Sequence, residues 1–157
     1  MRLVSWNCGA GFHCKVQSLL ALRPDIAVIQ GCSNLEILAA KAPDFRPAAA
    51  LWTGNNRNRG LAVFSFGEYR LKQADETDNS ITYALPVRVT GPSTFNLLAL
   101  WSHYGKTPVR VADPGPTLRA LDAYASLLKE APPSSPVIST ITSVGISPAK
   151  PATTRIP

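Results

Sequence analysis

The run Asp25-Ile26-Ala27-Val28-Ile29-Gln30 sets four consecutive apolar residues between polar neighbours, and it constrains the fold more than any other segment. Successive side chains of a strand point to opposite faces, so a strand that is apolar at every position must be covered on both sides. Residues 26–29 are therefore predicted to form a central strand. A sheet buried in this way needs a packed layer on each face, which restricts the chain to architectures in which helices or a second sheet flank it.

The remaining periodicities supply those layers. Residues 3–6 read as a first strand, Val16, Leu19, Leu20 and Leu22 form a helical stripe, and Pro24-Asp25 breaks it before the second strand. A short helix is predicted over residues 34–41, with Leu35, Leu38 and Ala39 inward and Asn34 near its start. Pro43 and Pro47 then delimit a turn. Strands are predicted over residues 48–52, 60–66, 69–73, 81–89 and 95–101, separated by Gly, Asn, Asp or Pro turns. Their links are too short for helical crossovers, which predicts antiparallel pairing. Helical spacing returns over residues 117–129, where Leu118, Leu121, Tyr124, Ala125 and Leu128 share a face between Pro116 and Pro132-Pro133. The order predicts an α/β sandwich with helices on its outer faces.

A chain of 157 residues accommodates one domain with a substantial core, since a domain of about 150 residues buries roughly 70% of its unfolded surface. Hydrophobic residues at 45% and charged residues at 17% place most of it in the globular class. No run approaches the roughly 20 apolar residues of a membrane span. Residues 1–7 turn polar too early for the apolar core of a secretory signal, so no membrane association and a cytoplasmic location are expected. Cys8, Cys14 and Cys32 are an odd number in such a chain, which favours reduced thiols. Cys8, His13 and Cys14 lack a fourth ligand at a zinc-site spacing, and the simpler reading is three small, partly buried residues in the loop and helix after the first strand.

The formal charge of +6 has a location as well as a size. Arg57 and Arg59 lie in the loop Thr53-Gly54-Asn55-Asn56-Arg57-Asn58-Arg59-Gly60, while Arg2, Lys15, Arg23, Lys106 and Arg110 are dispersed. A positive field favours polyanions, including nucleic acid, through phosphate attraction and counterion release. Arg57 and Arg59 are accordingly candidate phosphate-binding residues, set against basic residues that serve solubility alone.

Several runs in order, Arg2-Leu3-Val4-Ser5-Trp6-Asn7, Asp25-Ile26-Ala27-Val28-Ile29-Gln30, Trp52-Thr53-Gly54, Arg59-Gly60-Leu61-Ala62-Val63-Phe64-Ser65 and Phe95-Asn96-Leu97-Leu98-Ala99-Leu100-Trp101, resemble the endonuclease/exonuclease/phosphatase family over roughly residues 2–130. The resemblance implies the first part of a four-layer α/β sandwich, two packed mixed or antiparallel sheets with outer helices, whose C-terminal part is missing. It also implies an ancestral magnesium-dependent phosphodiester or phosphomonoester hydrolase. In that family the first strand delivers a metal-binding Asn, matching Asn7, and the second delivers a metal-binding Glu directly after Gln, matching residue 31. Residue 31 is Gly.

Phosphoester hydrolysis needs a nucleophilic water and stabilised charge on the phosphoryl and leaving oxygens, and a hard divalent ion held by oxygen ligands supplies both. The Asn7 amide oxygen could orient or weakly coordinate such an ion, but Gly31 removes the anionic anchor, so Asn7 is expected to be a vestigial metal-site residue. The alternative for Asn7 is a polar strand end bonded to the following turn. Glu36, five residues on in a predicted helix, is poorly placed to substitute. Gln30 is expected to be structural or to support the site from behind. His103 is a weak catalytic candidate: relatives place a histidine near the end of this strand, but Trp101 occupies the matching position, which favours a turn or surface role.

The family's Gly-Asp-x-Asn and later Asp-His pair are also absent. Pro136-Val137-Ile138 begins the strand that would lead into the first motif and then continues into Ser139-Thr140-Ile141-Thr142. The domain is expected to end at residue 138, with a Pro/Ser/Thr-rich unstructured tail over residues 139–157. A frameshift near residue 139 is the favoured origin, because some permitted codons for residues 149–157 read in a shifted frame as Lys-Ala-Gly-Asn-His-Gln-Asn-Pro. A genuine disordered tail or a truncated paralogue is the alternative. A chain so shortened is expected to lose cover over residues 26–29 and 97–100 and to be poorly soluble. The leading reading is an inactive descendant of a phosphoesterase, and the alternative is a noncatalytic binder of nucleic acid or another phosphorylated ligand through the loop of Arg57 and Arg59.

Overall fold

The computed structural model describes residues 1–75, 78, 81–102, 115–129, 138–142 and 152–155. Strand β1 (Arg2–Asn7) is followed by a 3-10 turn (Phe12–Cys14), helix α1 (Val16–Leu20), β2 (Ile26–Cys32) and α2 (Leu35–Lys41). Next come β3 (Ala49–Asn56), β4 (Arg59–Ser65), β5 (Arg70–Gln73), β6 (Ala84–Thr90) and β7 (Phe95–Trp101). Helices α3 (Gly115–Ala123) and α4 (Ala125–Lys129) precede β8 (Ile138–Thr142) and β9 (Ala152–Arg155).

The strands form two sheets, β3-β4-β2-β1-β9 and β5-β6-β7-β8. β1 runs parallel to β2, as the intervening helical connection requires. The short links give antiparallel pairs, β3 with β4, β5 with β6 and β6 with β7, as their lengths predict.

β2 is the middle strand of its sheet, and its apolar residues divide between two cores. Ile26 and Val28 join Leu3, Leu61 and Val63 in facing Leu85, Val87, Phe95 and Leu97 of the second sheet. Ala27 and Ile29 face the opposite way, toward Phe12, Val16, Leu19, Leu38 and Phe45. On the far side of the second sheet, Leu98 and Leu100 pack on Ala120, Tyr124 and Leu127. The result is helix, sheet, sheet, helix: the four layers anticipated from the sequence. Phe12, Phe45 and Phe64 close the first helical layer, with ring centroids 5.0 to 5.8 Å apart, a spacing at which aromatic pairs add to simple area burial.

The structure departs from the sequence reading in four places. Residues 26–29 and 97–100 do not lose cover, since Ile26 through Ile29 are fully buried and Leu97 through Leu100 are at most 2% exposed. One face of each sheet packs on the other sheet, and the opposite face is covered by helices encoded within the first 129 residues. The strand expected from residue 81 starts at Ala84, because Ile81 closes a turn onto the Asp78 carbonyl and Tyr83 adopts φ 61°. The single helix expected over residues 117–129 is two, interrupted at Tyr124, whose ring is buried and whose hydroxyl accepts the Asp78 amide at 3.0 Å. Within residues 139–157, expected to be an unstructured tail, β8 continues to Thr142 parallel to β7, and β9 pairs antiparallel with β1. These pairings take up the backbone groups that the edges of β7 and β1 would otherwise leave open.

One buried amide joins the helical layer to the second sheet. Asn96, 1% exposed within an otherwise apolar strand, donates from Nδ2 to the Leu127 carbonyl at 2.7 Å and accepts from Arg88 Nε at 3.4 Å. Leu127 lies in the last turn of α4, where carbonyls have no partner within the helix. Asn96→Ala is expected to lower the unfolding free energy by about 1–3 kcal/mol, because it leaves a buried carbonyl without its donor. Urea denaturation would measure that loss.

Candidate functional site

One end of the sandwich gathers the candidate residues. Strand alternation puts Ser5 and Asn7 on the face of Leu3, Gln30 on the face of Val28 and Arg59 on the face of Leu61, all toward the second sheet. Register brings Asn7 opposite Gln30 and Gln30 opposite Leu61. From the second sheet, Trp101 ends β7 beneath the Arg59 guanidinium, whose carbon lies 5.3 Å from the ring centroid. Tyr83 closes edge-on against Trp101 with centroids 4.9 Å apart, and its carbonyl accepts the Trp101 amide at 3.0 Å.

The start of β4 depends on a close approach. A Cβ at Gly60 would lie 2.4 Å from the ring of Trp52, so only glycine lets that indole cross the strand. Trp52 Nε1 donates to the Cys32 carbonyl at 3.2 Å, which fixes the ring over Gly60. Arg59 thus leaves the sheet from a rigid base.

Asn7 and residue 31 meet one loop. The Asn7 amide oxygen accepts the Gly9 backbone N–H at 3.2 Å. Gly31 lies in a bulge of β2 between Gln30 and Cys32, with φ +80°. Gln30 is fully buried, donates from Nε2 to Ser5 Oγ at 3.5 Å, and keeps its Oε1 without a hydrogen-bond partner. Of the two metal positions implied by the family resemblance, one is a neutral amide turned to a backbone N–H and the other has no side chain. Among the described residues no group of three or more His, Cys, Asp or Glu could hold a metal ion. This donor set does not fit a hard divalent cation, which takes several anionic and neutral oxygens.

The basic loop divides. Arg57 forms an ion pair with Glu36 at the surface, where the two side chains are 69% and 80% exposed, and its carbonyl accepts the Asn34 amide at 2.7 Å. Arg59 instead lies over Trp101 at the exposed start of β4. The tight turn separates them, with the Asn58 amide bonded to Asn56 Oδ1 at 2.9 Å. Glu36, in the first turn of α2, is thereby directed to Arg57 and not to Gly31. His103 lies outside the described residues, as do Lys106 and Arg110. Beside Tyr83, a polar cleft of about 90 Å³ is lined by Thr53, Asn55, Gln73, Asp78 and Thr82.

Sequence reading missed the partnership of Arg59 with Trp101 and Tyr83. Those residues stand on strands of different sheets, so no spacing along the chain reports their contact.

No family model matches the chain, and a search of curated proteins finds no match. Solved structures do match its fold. A humanized TDP2 from D. rerio superposes with a TM-score of 0.55 at 18% identity, covering 84% of this chain and 57% of that one. An AP endonuclease from Archaeoglobus fulgidus gives 0.54 at 13% identity over 83% and 51%. A functionally unknown conserved protein from Enterococcus faecalis gives 0.59 at 12% over 83% and 63%. The chain therefore spans between half and two thirds of the length of these structures.

The thiols near this end are chemically quiet. Burial pushes the Cys8 thiol up to about 11 against the opposing fields of Lys15 and Arg59, and burial, with Cys8 nearby, raises Cys32 as well. Cys14 is exposed, and all three cysteines are free. In native protein, iodoacetamide is expected to modify Cys14 alone, with Cys8 and Cys32 reacting only on unfolding, as peptide mass spectrometry would record. Because the folded pKa of Cys8 lies above its usual 9.0, stability is full below pH 9 and declines as pH rises toward about 11, where only the unfolded thiol readily ionises. Thermal melting across that window would follow the decline.

Proposed function

We propose, on the premise that this chain has the endonuclease/exonuclease/phosphatase superfamily fold, that it descends from a magnesium-dependent phosphoesterase and does not itself hydrolyse phosphate esters. The observation that carries this reading is Gly31, which stands at the expected carboxylate position with a positive φ and offers no side-chain oxygen to a metal. Phosphoryl chemistry of this kind relies on a bound ion to generate the nucleophile and to neutralise developing charge. Asn7 alone does not hold such an ion. The side chains that share its face, Gln30 and Ser5, are neutral, and the charges nearby on Lys15 and Arg59 are positive, which supports the same conclusion.

Three free thiols and the absence of any long apolar helix among the described residues agree with a cytoplasmic setting, which this reading adopts. The boundary at residue 138, read as the end of the inherited coding and not as the start of disorder, and a frameshift origin of residues 139–157 belong to the same proposal. Sequencing the coding DNA through codon 139 tests them: another frame that continues into Gly-Asp-x-Asn supports the frameshift, and the lack of one rejects it.

A second reading, a noncatalytic binder of nucleic acid or another phosphorylated ligand, draws on the Arg59 guanidinium held over Trp101. A guanidinium presented on an aromatic ring keeps its N–H groups for a phosphate while its face is occupied. Arg57, already paired with Glu36, contributes less in this reading.

Purified protein is expected to release no product above a buffer blank from bis-p-nitrophenyl phosphate, p-nitrophenyl phosphate or duplex DNA with Mg²⁺ or Mn²⁺. Metal-dependent turnover that vanishes in Asn7→Ala would overturn the inactive reading. For the second reading, a fluorescent oligonucleotide should bind with an affinity that drops as salt rises. Arg59→Ala should weaken it by about tenfold, the worth of a charged hydrogen bond, and Arg57→Ala by much less. Absence of binding at low salt removes that reading.

A further inference from the structure

Asn7, Gly9 and Gly31 are joined in a way that mere loss of a carboxylate does not require. A Cβ built at Gly31 lies 3.0 Å from the Gly9 carbonyl carbon, 3.1 Å from its oxygen and 3.2 Å from its nitrogen, all of them backbone atoms. The Gly9 peptide therefore fills the space through which a side chain at position 31 would leave the strand. Gly9 is pinned in turn. Its N–H is held by Asn7 Oδ1 at 3.2 Å, the preceding Cys8 N–H donates to the Gln30 carbonyl at 2.9 Å, and the Ala10 N–H returns to the Cys8 carbonyl at 2.9 Å. Lys15 Nζ clamps the same loop from the other side, donating to the carbonyls of Cys8 at 2.5 Å and Ala10 at 3.0 Å. Gly31 itself sits at φ +80°, a conformation that side-chain-bearing residues rarely adopt.

We propose that Asn7, Gly9 and Gly31 form a backbone lock at the place where the resemblance expects a metal centre, with Asn7 serving to hold the loop and not to bind a cation, so that a Glu introduced at position 31 cannot rebuild the centre by itself. The proposal rests on the reading that residue 31 matches the family's carboxylate position. It goes further by assigning the loss of metal binding to main-chain geometry, which a single side-chain reversion does not repair.

Gly67 provides the control, because it has φ +62° but nothing within 4 Å of a built Cβ. Alanine there meets only backbone strain, whereas alanine at Gly31 meets strain together with the Gly9 peptide. Thermal melting of the full chain should show a clearly larger loss for Gly31→Ala than for Gly67→Ala, and failure of Gly31→Ala to fold while Gly67→Ala folds counts the same way. The loss in Gly31→Ala combined with Asn7→Ala should be smaller than the sum of the two single losses, since a loop freed from Asn7 can move away from the new methyl group. Gly31→Glu should melt no higher in millimolar MgCl₂ or MnCl₂ than without it and give no saturable heat of metal binding. A Gly31→Ala loss equal to or below that of Gly67→Ala, additive losses in the double variant, or metal-induced stabilisation of Gly31→Glu would each overturn the lock. Metal-dependent hydrolysis by the unmodified chain would instead sink the inactive reading, while the alanine comparison, which involves no metal, would stand.

Discussion

Burial of β2 on both faces is the constraint on which the rest of the structure depends. Ile26 and Val28 must meet a second sheet, Ala27 and Ile29 must meet helices, and neither requirement can be relaxed without exposing a full strand of branched apolar side chains. Each such side chain contributes roughly 1.5–3 kcal/mol when fully buried. Once β2 is central, β1 and β4 are its neighbours, the 3-10 turn, α1 and α2 cover one side, and β6 and β7 cover the other. The second sheet then has its own outer face to cover, which α3 and α4 do through Ala120, Tyr124 and Leu127.

That arrangement explains why one end of the sandwich collects the chemistry-bearing residues. Strands stop where their side chains turn polar, and β1, β2 and β7 all run toward the same end, where β4 and β6 begin. Asn7, Gln30, Arg59, Tyr83 and Trp101 meet there because two registers and one contact between sheets bring them together. Among the described residues, the groups that meet there are neutral amides, one guanidinium and two aromatic rings. Such a set can orient a polar or anionic ligand, but it lacks the carboxylates that concentrate a divalent ion. Gly31 extends this contrast to the main chain, since its positive φ and its contact with Gly9 make the bulge a position for glycine.

Legibility followed the range of the interaction. The first strand, the second strand, the helix after Asn34 and the antiparallel order of the later strands were readable because each rests on periodicity or link length within a few residues. The Asn34 side chain indeed caps α2 by accepting the Ile37 amide at 3.0 Å. The break at Tyr124 and the late start of β6 were not readable, because both involve the meeting of the Asp78 turn with a helix 46 residues away. Residues 139–157 were read from composition alone, which carries no record of the open edges of β1 and β7 that β8 and β9 join.

The sequence by itself determined the layered architecture, the central place of residues 26–29, the family likeness of the ordered runs, and the glycine at residue 31. Those follow from side-chain type and short-range spacing, which are properties of the chain before it folds. Only the tertiary structure decided that Arg57 and Arg59 part company, one toward Glu36 and the other onto Trp101, and that Asn7 holds the loop packed against Gly31. Such pairings depend on which atoms two distant segments bring within a few ångströms of each other. That proximity is set by sheet register and by the packing of one sheet on the other, and neither is written in local sequence.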